Sequence, residues 1–350
     1  MAGKQPTTMQ RSQQACCALP KLWKLRISPK APSTSPTVLP TTSHERLASN
    51  SEKTILYLAY GSNLCAKTFE GARGIKPLSA VNVHVPSLDL TFDLAGIPYI
   101  EPCFANTRYR DTPPSPPTKT DHHKDRWTKG LIGVVYEVTP EDYRTIIATE
   151  GGGASYHDVI VPCFALPKGS KIVDPTPSGV PFKAHTLLLP RDENSAANTG
   201  RSRFSRPDPS YAQASARYLK LLTDGGEEHE LPAEYLAYLY NIRPYTITTR
   251  KQKIGQAIFL GFWMPILLAV IGLGKLFADD EGRSPAWLVG VMTVVFGAIW
   301  GSYDLVFKGL FGDGERTIYE VEDREKDVGM RFCHKFCHRS VKLEDTDEKR

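Results

Sequence analysis

The chain has 350 residues, 43 Lys and Arg against 38 Asp and Glu, a net charge of +5, and 41% hydrophobic residues. That leaves room for a core domain of roughly 150–200 residues plus extra segments. The mild basicity, with no dense Lys/Arg run interleaved with aromatics, argues against nucleic acid as a partner. Seven scattered cysteines (Cys16, Cys17, Cys65, Cys103, Cys163, Cys333 and Cys337) are odd in number and do not resemble a secreted disulfide framework, so a reducing compartment is expected.

Residues 1–53 are rich in Ser, Thr, Pro and Gln and read as a disordered segment, because they cannot bury enough apolar surface to fold alone. Lys4, Arg11, Lys21, Lys24, Arg26 and Lys30 precede the first acidic residue, Glu45, a bias that also suits a mitochondrial transit peptide. That is the lesser reading, since only Leu19 to Arg26 hints at amphipathicity and Pro20 and Pro29 bound it. A secretory h-region is absent from this stretch.

Ile55-Leu56-Tyr57-Leu58-Ala59 predicts a buried strand running into the turn Tyr60-Gly61-Ser62-Asn63-Leu64. Gly61 lets the main chain approach a ligand, and outward backbone N–H groups at such a turn can hold a small anion. An ordinary strand-to-loop junction is the plainer alternative. Residues 65–73 predict a short helix or loop, and 80–85 and 88–94 predict strands, with Val81, Val83 and Val85 alternating. The segment 95–106 reads as a Gly/Pro-punctuated loop with one carboxylate, Glu101. Residues 110–129, with four prolines and the pair His122-His123, read as an exposed insertion; a metal site there lacks further ligands at suitable spacing.

Gly130 to Val138 predicts the next strand, and Thr139-Pro140-Glu141-Asp142 a helix start with Thr139 as N-cap. That helix carries Tyr143, Ile146 and Ile147 and ends near Glu150-Gly151. A carboxylate there, at the negative end of the helix dipole and beside apolar neighbours, is expected to titrate high, as suits a base that deprotonates an amine; the alternative is a solvated Glu before a glycine C-cap. Further strands are expected at 156–164 and 184–189. Asp208-Pro209-Ser210 predicts a helix through Tyr218 that Gly225-Gly226 stops, and a second short helix covers 232–241. Several β-runs with few helices between them point to an α+β fold built on a small β-barrel.

The motifs Tyr57-Leu58-Ala59-Tyr60-Gly61-Ser62-Asn63-Leu64, Glu150-Gly151 with Tyr156, and Ser215-Ala216-Arg217-Tyr218 with Gly225 and Leu231-Pro232-Ala233-Glu234-Tyr235 come in that order. Together, over nearly all of 54–245, they resemble the γ-glutamylcyclotransferase family, in particular its fungal members that share the Gly96-Ile97-Pro98-Tyr99-Ile100-Glu101-Pro102-Cys103-Phe104-Ala105 run. The resemblance implies a small barrel flanked by helices, a small-molecule γ-glutamyl substrate and no metal or organic cofactor. It also implies Glu150 as the catalytic base, with Tyr57, Leu58, Ala59, Tyr60, Gly61, Ser62, Asn63, Tyr156 and Tyr218 binding substrate. Glu101 is the reserve candidate for the base.

Ile254 to Phe277 and Pro285 to Phe307 are each long enough to cross a bilayer and are separated only by Ala278-Asp279-Asp280-Glu281-Gly282-Arg283-Ser284. A two-helix transmembrane hairpin is therefore expected, a buried soluble pair being the alternative. Arg250, Lys251, Lys253 and Lys308 flank its outer ends, which places both termini and the domain in the cytosol by the positive-inside rule. From 313 to 350 a charged, solvated tail is expected; Cys333, His334, Cys337 and His338 within it read as reduced thiols and their neighbours, with zinc binding or palmitoylation as alternatives. The chain thus reads as a membrane-anchored cyclotransferase releasing 5-oxoproline, the alternative being an inactive ligand-binding or scaffold protein on the same fold.

Overall fold

The computed structural model describes residues 39–49, 53–110, 127–149, 157–189, 206, 208, 211–277 and 284–318. These all belong to one compact unit, Val38–Arg350. Among them, β1 (Ile55–Ala59), β5 (Leu131–Val138), β2 (Ser79–Val85), β6 (His157–Leu166) and β7 (Phe182–Leu188) form a closed barrel in that order. The neighbours are antiparallel except β1 and β7, whose parallel pairing at Tyr57 and His185 closes the ring. β1, β2 and β5 are almost wholly buried; β1 and β5 are accordingly rich in Val, Ile, Leu and Tyr, while β2 buries Ser79, Asn82 and His84 between its valines. Gly133 in β5 lets the backbone of β1 come close: an added Cβ would lie 2.5 Å from the Ala59 carbonyl oxygen.

A second, two-stranded ribbon pairs β3 (Leu88–Ile97) with β4 (Glu101–Tyr109). This corrects the reading of 95–106 as a loop. Gly96, Pro98 and Pro102 look like loop punctuation, but the prolines sit at the turn and near the start of a strand paired on one side only, where their missing N–H groups break no ladder. The turn residue Tyr99 has φ 66°, a conformation that costs a non-glycine residue energy and persists only where its surroundings hold it.

The helices follow the expected caps with informative shifts. α1 (His44–Ala48) lies within the stretch read as disordered; its Arg46 pairs with Glu137 at 2.8 Å and Thr41 bridges to Ala80. α2 (Pro140–Thr149) starts as predicted, the Thr139 hydroxyl accepting from the Asp142 N–H at 3.1 Å. Lys67–Ala72 is a short π-helical turn. α3 (Ala216–Glu228) begins at the N-cap Ser215, later than Asp208-Pro209-Ser210 suggested, and runs straight through Gly225-Gly226. Those glycines do not stop the helix; they let neighbours touch it. α4 (Ala233–Asn241) packs on α3, where Leu236 comes within 2.7 Å of a Cβ added at Gly226.

α5 (Arg250–Leu276) opens on a full capping box between Thr249 and Gln252 and continues unbroken across Pro265. α6 (Ala286–Ser302), a π-helical turn at Tyr303–Phe307 and α7 (Lys308–Phe311) return beside it. Both arms are long and apolar enough to cross a membrane, 250–274 on the outward arm and 286–311 on the return. The arms are not tethered loosely to the barrel. Ala95 and Tyr99 of the ribbon share one buried apolar cluster with Phe259, Trp263, Ile299, Trp300 and Tyr303. The Trp300 indole donates to the Gly96 carbonyl at 3.2 Å and the Gln256 amide to the Tyr99 carbonyl at 2.8 Å.

The start of the tail expected to be solvated is also packed: Glu315 and Thr317 are buried, and the Tyr99 N–H donates to the Gly314 carbonyl at 2.8 Å. Residues 319–350, including the Cys333–His338 cluster, lie outside the described residues, as does most of the 110–129 insertion.

Candidate active site

β1 delivers the Tyr60-Gly61-Ser62-Asn63 turn to one end of the barrel. The chain closes there into a single 3-10 turn, Ser62–Leu64, whose own hydrogen bonds use the N–H groups of Leu64 (to Gly61, 3.0 Å) and Cys65 (to Ser62, 3.3 Å). The N–H groups of Gly61 and Ser62 are not part of that turn, and both residues are half-buried rather than sealed in the core. Two side-chain hydrogen bonds then lock the loop. The Asn63 amide donates to the Tyr57 hydroxyl at 2.9 Å, and the Tyr60 hydroxyl donates to the Leu187 carbonyl at 2.8 Å. Leu58 and Ala59 are fully buried in the barrel wall and act through packing.

Tyr218 reaches this loop from α3. Ser215, the N-cap, accepts from the Tyr218 N–H at 3.0 Å and so fixes the first turn of the helix. The Tyr218 phenol is buried edge-on against Phe104, with ring centroids 5.1 Å apart, and its oxygen accepts the Ala105 N–H at 3.1 Å. A Cβ placed on Gly61 would sit 3.1 Å from that phenol oxygen and 3.6 Å from the Ala105 Cβ. The glycine is needed for a close approach of loop, helix and ribbon, not for a left-handed conformation, since its φ is −111°.

Beneath the loop stands a buried polar pillar that sequence reasoning missed. The Tyr136 hydroxyl of β5 donates to the carbonyls of Asn63 and Leu64, both at 3.3 Å, and lies 2.7 Å from His229 Nε2 at the end of α3. A neutral His229 protonated on Nε2 satisfies all three contacts. Its backbone carbonyl in turn accepts from the Asn82 amide at 2.8 Å. Burial first, and then Lys168 nearby, depress the His229 pKa to about 4, while burial pushes the Tyr136 phenol well above its ordinary range.

The sign of the consequence follows from linkage. An unfolded histidine takes up a proton below about pH 6.5, whereas folded His229 resists it until about pH 4, so this stability is present above pH 6.5 and lost as pH falls toward 4. The loss between pH 7.5 and 5 should be about 2 kcal/mol, with His84, also depressed by burial, adding in the same direction. Thermal unfolding of the full chain at the two pH values checks this. A midpoint that does not drop at pH 5, or that drops equally in His229→Asn, contradicts the assignment.

On the other flank, Tyr143 of α2 lies 6.1 Å from the Tyr57 ring and 5.5 Å from the His185 ring, and His185 Nδ1 is 3.0 Å from Asp158. These residues are remote in sequence; the parallel β1–β7 closure assembles them. Glu150 and Tyr156 lie outside the described residues. Their anchors are described: α2 ends at Thr149, whose hydroxyl accepts from Arg73, and β6 resumes at His157. The helix that leads to Glu150 therefore packs on the tyrosine that holds Asn63.

Glu101 has a different use. It begins β4 and accepts hydrogen bonds from the Ser215 hydroxyl and the Arg217 guanidinium, tying the ribbon to the start of α3. Among the described residues no group of three or more His, Cys, Asp or Glu side chains is arranged to hold a metal.

The described site is thus a closed barrel with a strand-end glycine loop held under a helix-borne tyrosine. The chain is 34% identical over 285 residues to "Gamma-glutamyl cyclotransferase gliK" of Aspergillus fumigatus, covering 79% of this chain and 95% of that protein. It is 30% identical over 272 residues to "Gamma-glutamyl cyclotransferase aclK" of Aspergillus oryzae, covering 75% and 91%. Residues 249–310 match the AclK C-terminal domain family. Among solved structures, one gamma-glutamyl cyclotransferase overlays with TM-score 0.38 and 19% identity over 57% of this chain and 93% of its own. The chain belongs to the γ-glutamyl cyclotransferase family of enzymes.

Proposed function

We propose that this protein releases 5-oxoproline from a γ-glutamyl amino acid, a γ-glutamyl amine or a glutathione-type conjugate, with the Tyr57–Asn63 loop and Tyr218 binding the γ-glutamyl group and Glu150 as base. The Glu150 carboxylate takes a proton from the substrate α-ammonium. The freed amine attacks its own γ-carbonyl carbon, forming the ring C–N bond and a tetrahedral oxyanion. Collapse breaks the bond to the leaving amine, which receives the first proton back from Glu150, and the second proton shed by the ring nitrogen converts it to an ammonium. Nothing beyond substrate is consumed.

Ring closure within one molecule needs positioning, one base and N–H donors for the oxyanion. The observation that best supports this reading is the Tyr218 phenol seated against Gly61, which joins helix, ribbon and loop while the Gly61 and Ser62 N–H groups stay outside the turn's own hydrogen bonds. We also place the hairpin in a membrane. The exposed cations Arg250, Lys251 and Lys253 at its base and the acidic loop at its tip support a cytosolic catalytic domain by the positive-inside rule.

The test is product analysis with the full chain in lipid vesicles, offered γ-glutamyl-alanine, γ-glutamyl-lysine, glutathione and a glutathione S-conjugate. Release of 5-oxoproline with an equal amount of free amine is expected from at least one. Release of glutamate instead would mean hydrolysis. Binding without any product would favour a ligand-binding protein on this fold.

A further inference from the structure

The hairpin is longer than the part of it that stands clear of the catalytic domain. The ribbon meets α5 over Gln256 to Trp263: Gln256 bonds the Tyr99 carbonyl, the Phe259 ring lies 5.8 Å from Tyr99, and Trp263 is buried in the shared cluster. Beyond that level only Met264 to Phe277 projects, about 20 Å of helix. A bilayer hydrocarbon core is about 30 Å thick. If the domain stayed wholly in water, the tip loop with Asp279, Asp280, Glu281 and Arg283 would stop inside the hydrocarbon, where charged side chains are strongly disfavoured.

The outward-facing surface of the hairpin resolves the mismatch, because it stays apolar alongside the ribbon. Ile258 and Phe262 on α5 are 49% and 60% exposed, and Leu305 on the return is 85% exposed. Counting back from Phe277, about 30 Å of helix reaches Ile258. Two charge features fit that boundary. Arg250, Lys251 and Lys253 then fall roughly 7–12 Å beyond it, at headgroup depth; a boundary at Met264 would leave them too far out to meet lipid phosphates. Asp304 then falls close to the boundary on the return helix. It is neutralised there by a bidentate pair with Arg206 of the catalytic domain, at 2.9 and 3.0 Å, whose guanidinium also stacks over Trp300 at 4.0 Å.

We propose that the β3–β4 ribbon is sunk into the near leaflet together with the hairpin, so that a rigid joint seats the catalytic domain in the membrane surface. This rests on the membrane reading above. Gly96 meets Trp300 about 8 Å inside the hydrocarbon, and the Pro98–Ile100 turn lies beside its boundary, where Tyr99 meets Gln256 and Phe259. It is screened from lipid by the helices and by the Gly312–Gly314 segment, whose Gly312 and Gly314 carbonyls accept from the Tyr99 hydroxyl and N–H, both at 2.8 Å.

Depth-resolved spin labelling tests this. In the full chain, Cys16, Cys17, Cys333 and Cys337 are changed to Ser while buried Cys65, Cys103 and Cys163 remain. Phe262→Cys and, separately, Ile271→Cys are labelled and reconstituted in phosphatidylcholine–phosphatidylglycerol vesicles. Power saturation then compares oxygen with a water-soluble nickel chelate. At both positions oxygen should be the more effective relaxant. Nickel access at Phe262 with oxygen access at Ile271 overturns the sunken ribbon while the membrane reading stands. Nickel access at both removes the membrane reading itself. Gly261→Cys, exposed one residue away on α5 with open space where a Cβ would go, replaces Phe262→Cys if circular dichroism shows that variant unfolded.

Discussion

Replacing Glu150 with Gln should lower kcat for 5-oxoproline release by about 10²–10⁴-fold while leaving KM within a few-fold and the unfolding midpoint nearly unchanged. The isosteric amide keeps the shape of the site, so the intramolecular advantage of a substrate held close to its own carbonyl survives. What disappears is the acceptor for the ammonium proton, and a protonated amine is no nucleophile. Glu101→Gln should show the opposite pattern. Its carboxylate joins Arg217 and the Ser215 hydroxyl at the junction of β4 and α3, so its loss should lower stability first and turnover only as far as Tyr218 shifts. Steady-state kinetics and thermal melts of the two variants separate the roles. If Glu150→Gln keeps more than a tenth of wild-type turnover, the base lies elsewhere, and Asp158 beside His185 becomes the next carboxylate to test.

Gly225→Ala should destabilise the catalytic domain by about 3 kcal/mol or more and raise KM sharply. Within a helix, Gly to Ala is ordinarily stabilising by roughly 0.5–1 kcal/mol. Here the sign reverses. The new Cβ would sit 2.4 Å from the Leu64 carbonyl carbon, 2.5 Å from the Cys65 nitrogen and 2.6 Å from the Leu64 Cβ. Two of those atoms are backbone of the turn that closes the substrate loop, so no rotamer change relieves the clash; either α3 withdraws, taking Tyr218 with it, or the loop does. At about 2–4 °C per kcal/mol for a domain of this size, the midpoint should fall by roughly 6–12 °C. An unchanged midpoint would contradict the close approach of the helix to the loop at Gly225.

How much of this was legible beforehand depends on the distance over which each feature is decided. The strand entering the Gly61 turn, the Thr139-Pro140 helix start and the apolar arms of the hairpin depend on neighbours within a few residues, and local chemistry was enough to find them. The three motifs named the family because their order and spacing are properties of the chain alone.

The ribbon was misread because Gly96, Pro98 and Pro102 carry the local signature of a loop. They are tolerated in a strand pair only because one edge of each strand faces no ladder, and because the hairpin and the Gly312–Gly314 segment hold Tyr99 at φ 66°. Gly225 and Gly226 were misread as a helix stop for a related reason: whether a glycine ends a helix or admits a neighbour depends on what lies against it, here Leu64 and Leu236. The Tyr136–His229 pillar and the Tyr143, Asp158 and His185 group have no signature at all in sequence, since their members are brought together only by barrel closure.

The sequence by itself therefore determined the elements, the family and the residues to test at the substrate loop. Only the tertiary structure decided what supports that loop, and that the two apolar hairpin helices are packed onto the β3–β4 ribbon rather than hung from it. The physical reason is that local propensity acts through a residue's immediate neighbours, whereas close approach and burial depend on partners a hundred or more residues away.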